Sequence, residues 1–263
     1  MLATAAAGTA GPAPEASGAA ALRVSGLRKR YGAREVLAGV ELEVRPGAAF
    51  GLVGVNGAGK TTLLKCALDL ASFEAGSVEI FGVPSRASGA RRRLAYVPER
   101  FMPQHYLRGR EFLEMMQELA DQAYDEARAA ALLAELELDA EVLERPVRQL
   151  SKGMTQKLGL AACFLLEREL LLLDEPMSGL DPAARVAVKS VLRRLGSGGR
   201  TLFFTSHVLA DVEELCSSIA VLDRGAIRYS GAPADLCART GESQLERAFL
   251  RCIRTDGDQP AGS

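Results

Sequence analysis

The residues Gly54-Val55-Asn56-Gly57-Ala58-Gly59-Lys60-Thr61, with Thr62 behind them, have the types and spacing needed to hold an anion. The glycines let backbone N–H groups curl around phosphate oxygens. Lys60 can reach the β- and γ-phosphates of a nucleotide, and Thr61 offers a hydroxyl to Mg²⁺. Chance would produce this G-x-x-x-x-G-K-[ST] pattern in roughly one chain in a hundred of such composition. Farther along, Leu170-Leu171-Leu172-Leu173 runs into Asp174-Glu175. Four apolar residues suit a strand buried on both faces, and open α/β sheets place their sites at the C-terminal ends of such strands. Asp174 is suited to hold hydrated Mg²⁺, and Glu175 to polarise an attacking water. Acids at a strand end are common on solvated surfaces, so this second element gains its meaning from the glycine loop.

Elements of the right kind surround both segments. Leu22 to Val44 alternates β-like runs with turn signals and predicts antiparallel strands. Ala48 to Val53 is a continuous apolar run suited to a buried strand, and Thr61 to Leu70 carries apolar residues at helical spacing. From about Arg108 to Arg168 the pattern is helical, with Phe112, Met115, Met116 and Leu119 as one core stripe and Leu132, Leu133 and Leu136 as another. The α/β alternation resumes with a strand at Leu170–Leu173, a helix from Pro182 to Leu195, a strand at Thr201–Thr205 and a helix from Val208 to Leu215. Asp181-Pro182 is a helix start, with Asp as N-cap and Pro in the first turn. Ile219–Leu222 and Ala226–Tyr229 read as a closing hairpin. The predicted fold is α/β: a P-loop NTPase with a RecA-like parallel core sheet, an N-terminal antiparallel β subdomain and an inserted α-helical subdomain at about 100–168. Residues 1–21 read as a disordered extension, 22–237 as the nucleotide domain and 238–263 as a short C-terminal extension.

Bulk composition narrows the function class. The chain has 263 residues, 48% hydrophobic and 25% charged, and a net charge of −1. That is ordinary for a soluble globular protein, and nothing in the balance points to nucleic acid. Arg91-Arg92-Arg93 reads as a solvated basic face, because acids are plentiful around it. The five cysteines are scattered without C-x-x-C spacing and read as reduced, mostly buried thiols of a cytosolic protein. The most apolar stretch, Leu158 to Leu173, is interrupted by Glu167-Arg168-Glu169, so no span is expected and membrane contact would come through a partner.

With the loop and the acidic strand end in place, the chain resembles the nucleotide-binding subunit of an ABC transporter over about Leu22 to Leu250. Leu150-Ser151-Lys152-Gly153-Met154 falls where that family carries L-S-G-G-Q. Ser178-Gly179-Leu180-Asp181 matches its D-loop, Thr205-Ser206-His207 its switch-histidine segment, and Tyr31 the aromatic that stacks on adenine. The resemblance implies ATP and Mg²⁺, with nucleotide contacts from Tyr31, Gly54, Asn56, Gly57, Gly59, Lys60, Thr61 and Thr62. Glu99, Ser151, Gly153 and Asp181 would add to them. It implies metal contacts from Thr61, Asp174 and Glu99, and catalysis by Glu175 and His207 with Lys60. Ser151 and the helix N-terminus it begins would bind the γ-phosphate of ATP held by a second copy, consistent with the attraction of helix N-termini for anions. The implied partners are a second ATP-binding subunit, as homodimer or heterodimer, and an integral membrane permease docked near Glu99 to Arg108. The implied location is cytoplasmic, peripheral on the inner face of the cell membrane.

Two segments depart from the family pattern. Lys152 and Met154 replace Gly and Gln in the signature, and Glu99, in Tyr96-Val97-Pro98-Glu99, stands where Gln is usual. Both departures resemble the export-type branch that works with ABC-2-like permeases, as does the late segment Ser243 to Leu250. The rival classes are a soluble ABC ATPase of ribosomes, DNA or Fe–S assembly, a small-molecule P-loop kinase, and a scaffold that binds nucleotide without hydrolysis. The first lacks its tandem domains, coiled coil or cysteine cluster here. The second has no use for the Ser151 signature, Asp181 or His207, and the third none for an intact Glu175 and His207.

Overall fold

The computed structural model describes residues 19–254. The extension expected over 1–21 lies outside them up to residue 18, and that over 238–263 from residue 255. β1 (Leu22–Tyr31) and β2 (Arg34–Val44) form an antiparallel hairpin, and β3 (Ala49–Val53) leads through the glycine loop to α1 (Lys60–Ala67). β4 (Ala75–Ile80), the short β5 (Val83–Pro84) and the single-turn α2 (Ser88–Arg91) precede β6 (Leu94–Val97). α3 (Gly109–Glu118), α4 (Glu126–Glu135), two 3₁₀ turns and α5 (Lys152–Leu165) fill the stretch expected to be helical. Then come β7 (Leu170–Asp174), α6 (Pro182–Ser197), β8 (Thr201–Ser206), α7 (Leu209–Leu215) and β9 (Ser218–Asp223). β10 (Ala226–Gly231), α8 (Pro233–Thr240) and α9 (Leu245–Arg254) complete the described chain.

Two sheets result. One is antiparallel, in the order β2-β1-β4-β5; the other runs β10-β9-β3-β8-β7-β6 and is parallel except for β10. The parallel strands are apolar without interruption because each of their faces meets a different core. Leu171 and Leu173 of β7 pack with α5 and α6, whereas Leu170 and Leu172 pack with β1, β2 and α1. Phe204 and Phe203 of β8 divide in the same way, and Phe203 stacks on Phe50 of β3 with centroids 5.7 Å apart. Fully burying such a side chain stabilises by about 1.5–3 kcal/mol, so these strands are a rigid floor for whatever stands at their ends.

The hairpin β9–β10 ties this floor to the antiparallel sheet. In its turn, Gly225 donates its N–H to Ala58 O (3.2 Å) and accepts at its carbonyl from Ala38 N (2.8 Å). Its φ is +78°, and a Cβ there would lie 2.5 Å from Val36 O, so the approach requires glycine.

The helical stripes hold with one correction. Phe112, Leu132, Leu133 and Leu136 are buried, and Met115 and Met116 are partly buried against the same core. Leu119 is 75% exposed, because α3 has ended and this residue is its C-cap. The segments β4, β5, α2 and α8 had no counterpart in the sequence reading, and the expected boundary at 237 falls inside α8. The basic run is solvated as expected: Arg91 pairs with Asp69 (3.2 Å) and Arg93 with Glu169 (2.6 Å). Cys66, Cys163 and Cys216 are buried, Cys237 and Cys252 half-buried, and none forms a disulfide. Burial pushes the Cys66 thiol up to about 11 and that of Cys163 up to about 12.

Candidate functional site

β3 delivers the chain to the glycine loop between β8 and β9, where Val53 lies beside Ser206 and Val221. The loop closes on Gly59, the N-cap of α1, at φ +115°. A Cβ there would lie 3.0 Å from Val36 O, so no other residue keeps this turn. Lys60 is buried at the start of α1; its Nζ donates to Gly54 O (2.8 Å) and lies 3.8 Å from Glu175 Oε1. Thr61 Oγ1 donates to Asp174 Oδ2 at 2.9 Å.

Strand register supplies the rest. β7 and β8 run side by side with Asp174 opposite Thr205. Thr205 Oγ1 donates its proton to Asp174 Oδ1 (2.6 Å) and accepts from the Glu175 N–H (2.9 Å). One hydroxyl thus orients both acids. Glu175 itself has φ +49°, a conformation that costs a non-glycine residue energy and recurs at functional sites. Its buried carboxylate points between two basic groups. Oε1 faces Lys60, and Oε2 lies 2.8 Å from His207 Nδ1 and 3.4 Å from the His207 N–H. The His207 ring is half exposed, and the Val208 N–H bonded to Ser206 Oγ (3.0 Å) fixes the backbone that carries it.

These groups open onto one cavity of about 480 Å³. Of the expected residues, Tyr31, Asn56, Gly57, Gly59, Lys60, Thr61, Thr62, Glu99, Asp174, Glu175 and His207 line it. Gly54 contributes through its carbonyl to Lys60. Tyr31 stands half exposed at the hairpin end, with Lys29 Nζ 4.9 Å from its ring centroid. On the other side, burial, reinforced by the charges of Asp174 and Glu99, pushes the Tyr96 phenol up to about 12. Three residues matter beyond the expected site residues, two of them new and one, Thr205, expected only as part of the switch-histidine segment. Arg34 and Val36 line the cavity, and Thr205 holds the acids. The turn Gly32-Ala33, which sets Arg34 opposite Tyr31, and the β7–β8 register were the signals for them.

Ser151, Gly153 and Asp181 are not part of that lining. Ser151 is exposed and caps α5, accepting from the Met154 N–H at 3.2 Å; Asp181 caps α6, accepting from the Ala184 N–H at 2.8 Å. Both are the N-caps that sequence predicts. Lys152 drapes over Gly179, whose Cβ position is 3.2 Å from the Lys152 Nζ, so the signature segment and the D-loop touch within one subunit.

The donor set near Thr61 consists of hard oxygens: its hydroxyl, the Asp174 carboxylate beside it and Glu99 on the cavity wall. No cluster of three or more His, Cys, Asp or Glu suited to a metal occurs among the described residues. Mg²⁺ is typically held by one or two carboxylates together with substrate phosphates, so these residues fit it.

A glycine loop opening α1, two acids closing the adjacent floor and a cavity between them define a P-loop nucleotide-binding domain. The family model described as ABC transporter matches residues 37–178, and the chain belongs to that family. Over 206 residues it is 38% identical to an uncharacterized ABC transporter ATP-binding protein of Synechocystis sp., covering 77% of this chain and 58% of that protein. Over 230 residues it is 37% identical to the daunorubicin resistance ATP-binding protein DrrA3 of Streptomyces coeruleorubidus, covering 86% of this chain and 72% of that one. The solved structure of an ATP-binding subunit of an ABC transporter superposes with a TM-score of 0.80 at 30% identity, covering 88% of this chain and 98% of that one. The chain therefore spans less than two thirds of the length of the Synechocystis relative.

Proposed function

We propose that this chain binds and hydrolyses ATP and, as one of a head-to-tail pair, drives a separate ABC-2-like membrane permease in the direction of export. The observation that carries this reading is the convergence of Lys60, Thr61, Asp174, Glu175 and His207 on one cavity beneath Tyr31. Adenine stacks on Tyr31, and the loop N–H groups with Lys60 hold the β- and γ-phosphates. Thr61 and Asp174, with Glu99 on the wall, would hold Mg²⁺, which would supply charge neutralisation of the phosphates. Glu175 takes a proton from the attacking water, and His207 steadies the γ-phosphate as it leaves. The chemistry is mainly positioning and electrostatics, which the register-locked acids favour.

Dimerisation is supported by what this cavity leaves out. Ser151 and Gly153 sit at the N-terminus of the 14-residue α5, a place that attracts anions, and outside the cavity of their own subunit. A second copy brings them to the γ-phosphate. The export direction is supported by the daunorubicin resistance relative and by Lys152, Met154 and Glu99. Among the described residues no helix is long and apolar enough to cross a membrane, which suits a subunit held at the inner membrane face through its permease. The assignment has no place for nucleic acid.

Glu175→Gln tests the reading. Losing the general base should lower steady-state ATP hydrolysis by about 10²–10⁴-fold, and the variant should elute as an ATP-dependent dimer in size-exclusion chromatography. Hydrolysis at the wild-type rate sinks the assignment.

A further inference from the structure

The β1–β2 hairpin carries a cation that the ATP reading has not used. Arg23 pairs with Glu43, Arg28 with Glu35 and Lys29 with Glu74, and Arg30 donates to Ala33 O. Arg34 is different: among the described residues its guanidinium makes no hydrogen bond or ion pair. The acids of the neighbouring cavity wall are already engaged, Glu35 by Arg28 and Asp223 by Arg224 and Arg228. An Arg side chain carries its charge at every accessible pH, so this one is available to an anion that arrives from outside.

Its position says which anion. Arg34 lies opposite Tyr31 across a two-residue turn, and residues directly paired in an antiparallel ladder share a face. The hairpin therefore presents ring and guanidinium side by side. Arg34 Nη2 is also 3.9 Å from the Cβ position of Gly57, in the middle of the phosphate loop. Both Tyr31 and Gly57 line the same cavity as Arg34. With adenine at Tyr31 and the terminal phosphates at Lys60 and Thr61, the part of the nucleotide between them is the ribose and the α-phosphate. Of these, only the phosphate is an anion matched to a forked guanidinium.

We infer that Arg34 is a nucleotide-binding residue that pairs with the α-phosphate of the adenine nucleotide. The inference rests on the proposed ATP site and adds a side-chain cation beside the loop N–H groups that cradle the phosphates. It also makes nucleotide affinity sensitive to salt, since the guanidinium is solvent-exposed.

The test is calorimetric binding of ADP, AMP and adenosine, with Mg²⁺ present, to wild type, Arg34→Ala, Arg34→Lys and Lys60→Ala. Arg34→Ala should weaken ADP and AMP by the same factor, about tenfold, leave adenosine within twofold and flatten the salt dependence. Arg34→Lys keeps the charge and should recover much of the loss, and an unchanged Tm in both variants excludes a folding effect. The inference is overturned if Arg34→Ala binds ADP within twofold of wild type, or if adenosine weakens as much as ADP does. Lys60→Ala separates the two layers. Should it lose ADP binding while Arg34→Ala does not, the ATP site stands and the role of Arg34 falls. Failure of wild type to bind ADP at all would overturn both.

Discussion

Around Asp174 and Glu175 the polar groups have found partners within the chain, from Thr61, Thr205, Lys60 and His207. Around Ser151 the end of α5 faces solvent, with the serine spent on its own cap and the Lys152 ammonium unpaired among the described residues. The first region is set on buried strands whose register fixes it. The second stands on a helix start whose local needs are met and which lies outside its own subunit's cavity, touching the D-loop through Lys152 and Gly179. The difference teaches how one chain can hold one region rigid and leave another open, as the proposed pairing of two copies requires. Preorganised dipoles cost no rearrangement during reaction, and under the proposed function the element that completes them arrives from a second copy.

The comparison breaks most sharply if the second region acts within its own subunit. Lys60→Met and Ser151→Phe should each reduce ATP hydrolysis about 10²-fold or more, and mixing the two proteins should restore part of it. In a head-to-tail mixed pair, one composite site has both Lys60 and Ser151 intact. No recovery on mixing would place Ser151 in cis.

A smaller effect tests the first region. Thr205→Val removes the hydroxyl between the acids while keeping shape and β propensity, and should lower kcat about tenfold with the KM for ATP unchanged. Tenfold is about 1.4 kcal/mol, near the lower end of what a hydrogen bond to a charged group contributes. Thr205→Ser should retain most activity; a Val variant with wild-type kcat would show that strand register alone places the acids.

Smaller still is the cap. Ser151→Ala should cost about 1 kcal/mol of stability and lower Tm by about 2–4 °C, read by thermal denaturation, while ADP binding to the lone subunit is unchanged. Weakened ADP binding would put this helix end in the subunit's own pocket.

The least effect at ordinary pH concerns the floor under the first region. Cys66 and Cys163 have thiols raised from 9.0 to about 11 and about 12. Their contribution is therefore full below about pH 9 and is lost as the pH rises through 11 to 12, because only the unfolded chain ionises readily there. A Tm that does not decline over that range would contradict the sealed packing of this floor.

Much of the first region was legible because its residues are contiguous. Gly54 to Thr61 and Leu170 to Glu175 each contain strand, turn and functional group in one run. The caps at Ser151 and Asp181 were legible for the same reason, since a cap needs only a few consecutive residues. Arg34, and the hold of Thr205 on the two acids, escaped because such roles depend on which residue lies across a ladder, information carried by register. β5 escaped because it is a two-residue edge strand, and β4, between β1 and β5, because its first half bears no alternation: Ala75, Gly76 and Ser77 are all exposed. Leu119 misled because a helical stripe continues on paper past the point where the helix stops.

Gly225 has a consequence of another sort. Its N–H is held by the phosphate loop at Ala58 and its carbonyl by β2 at Ala38. The jaw that carries Tyr31 and the jaw that carries Lys60 are thus referenced to a single peptide, like the two arms of a caliper pinned at one joint. A side chain forced into that joint would spread the jaws while leaving every recognisable motif untouched, and the fault would read as lost affinity in a sequence that looks intact.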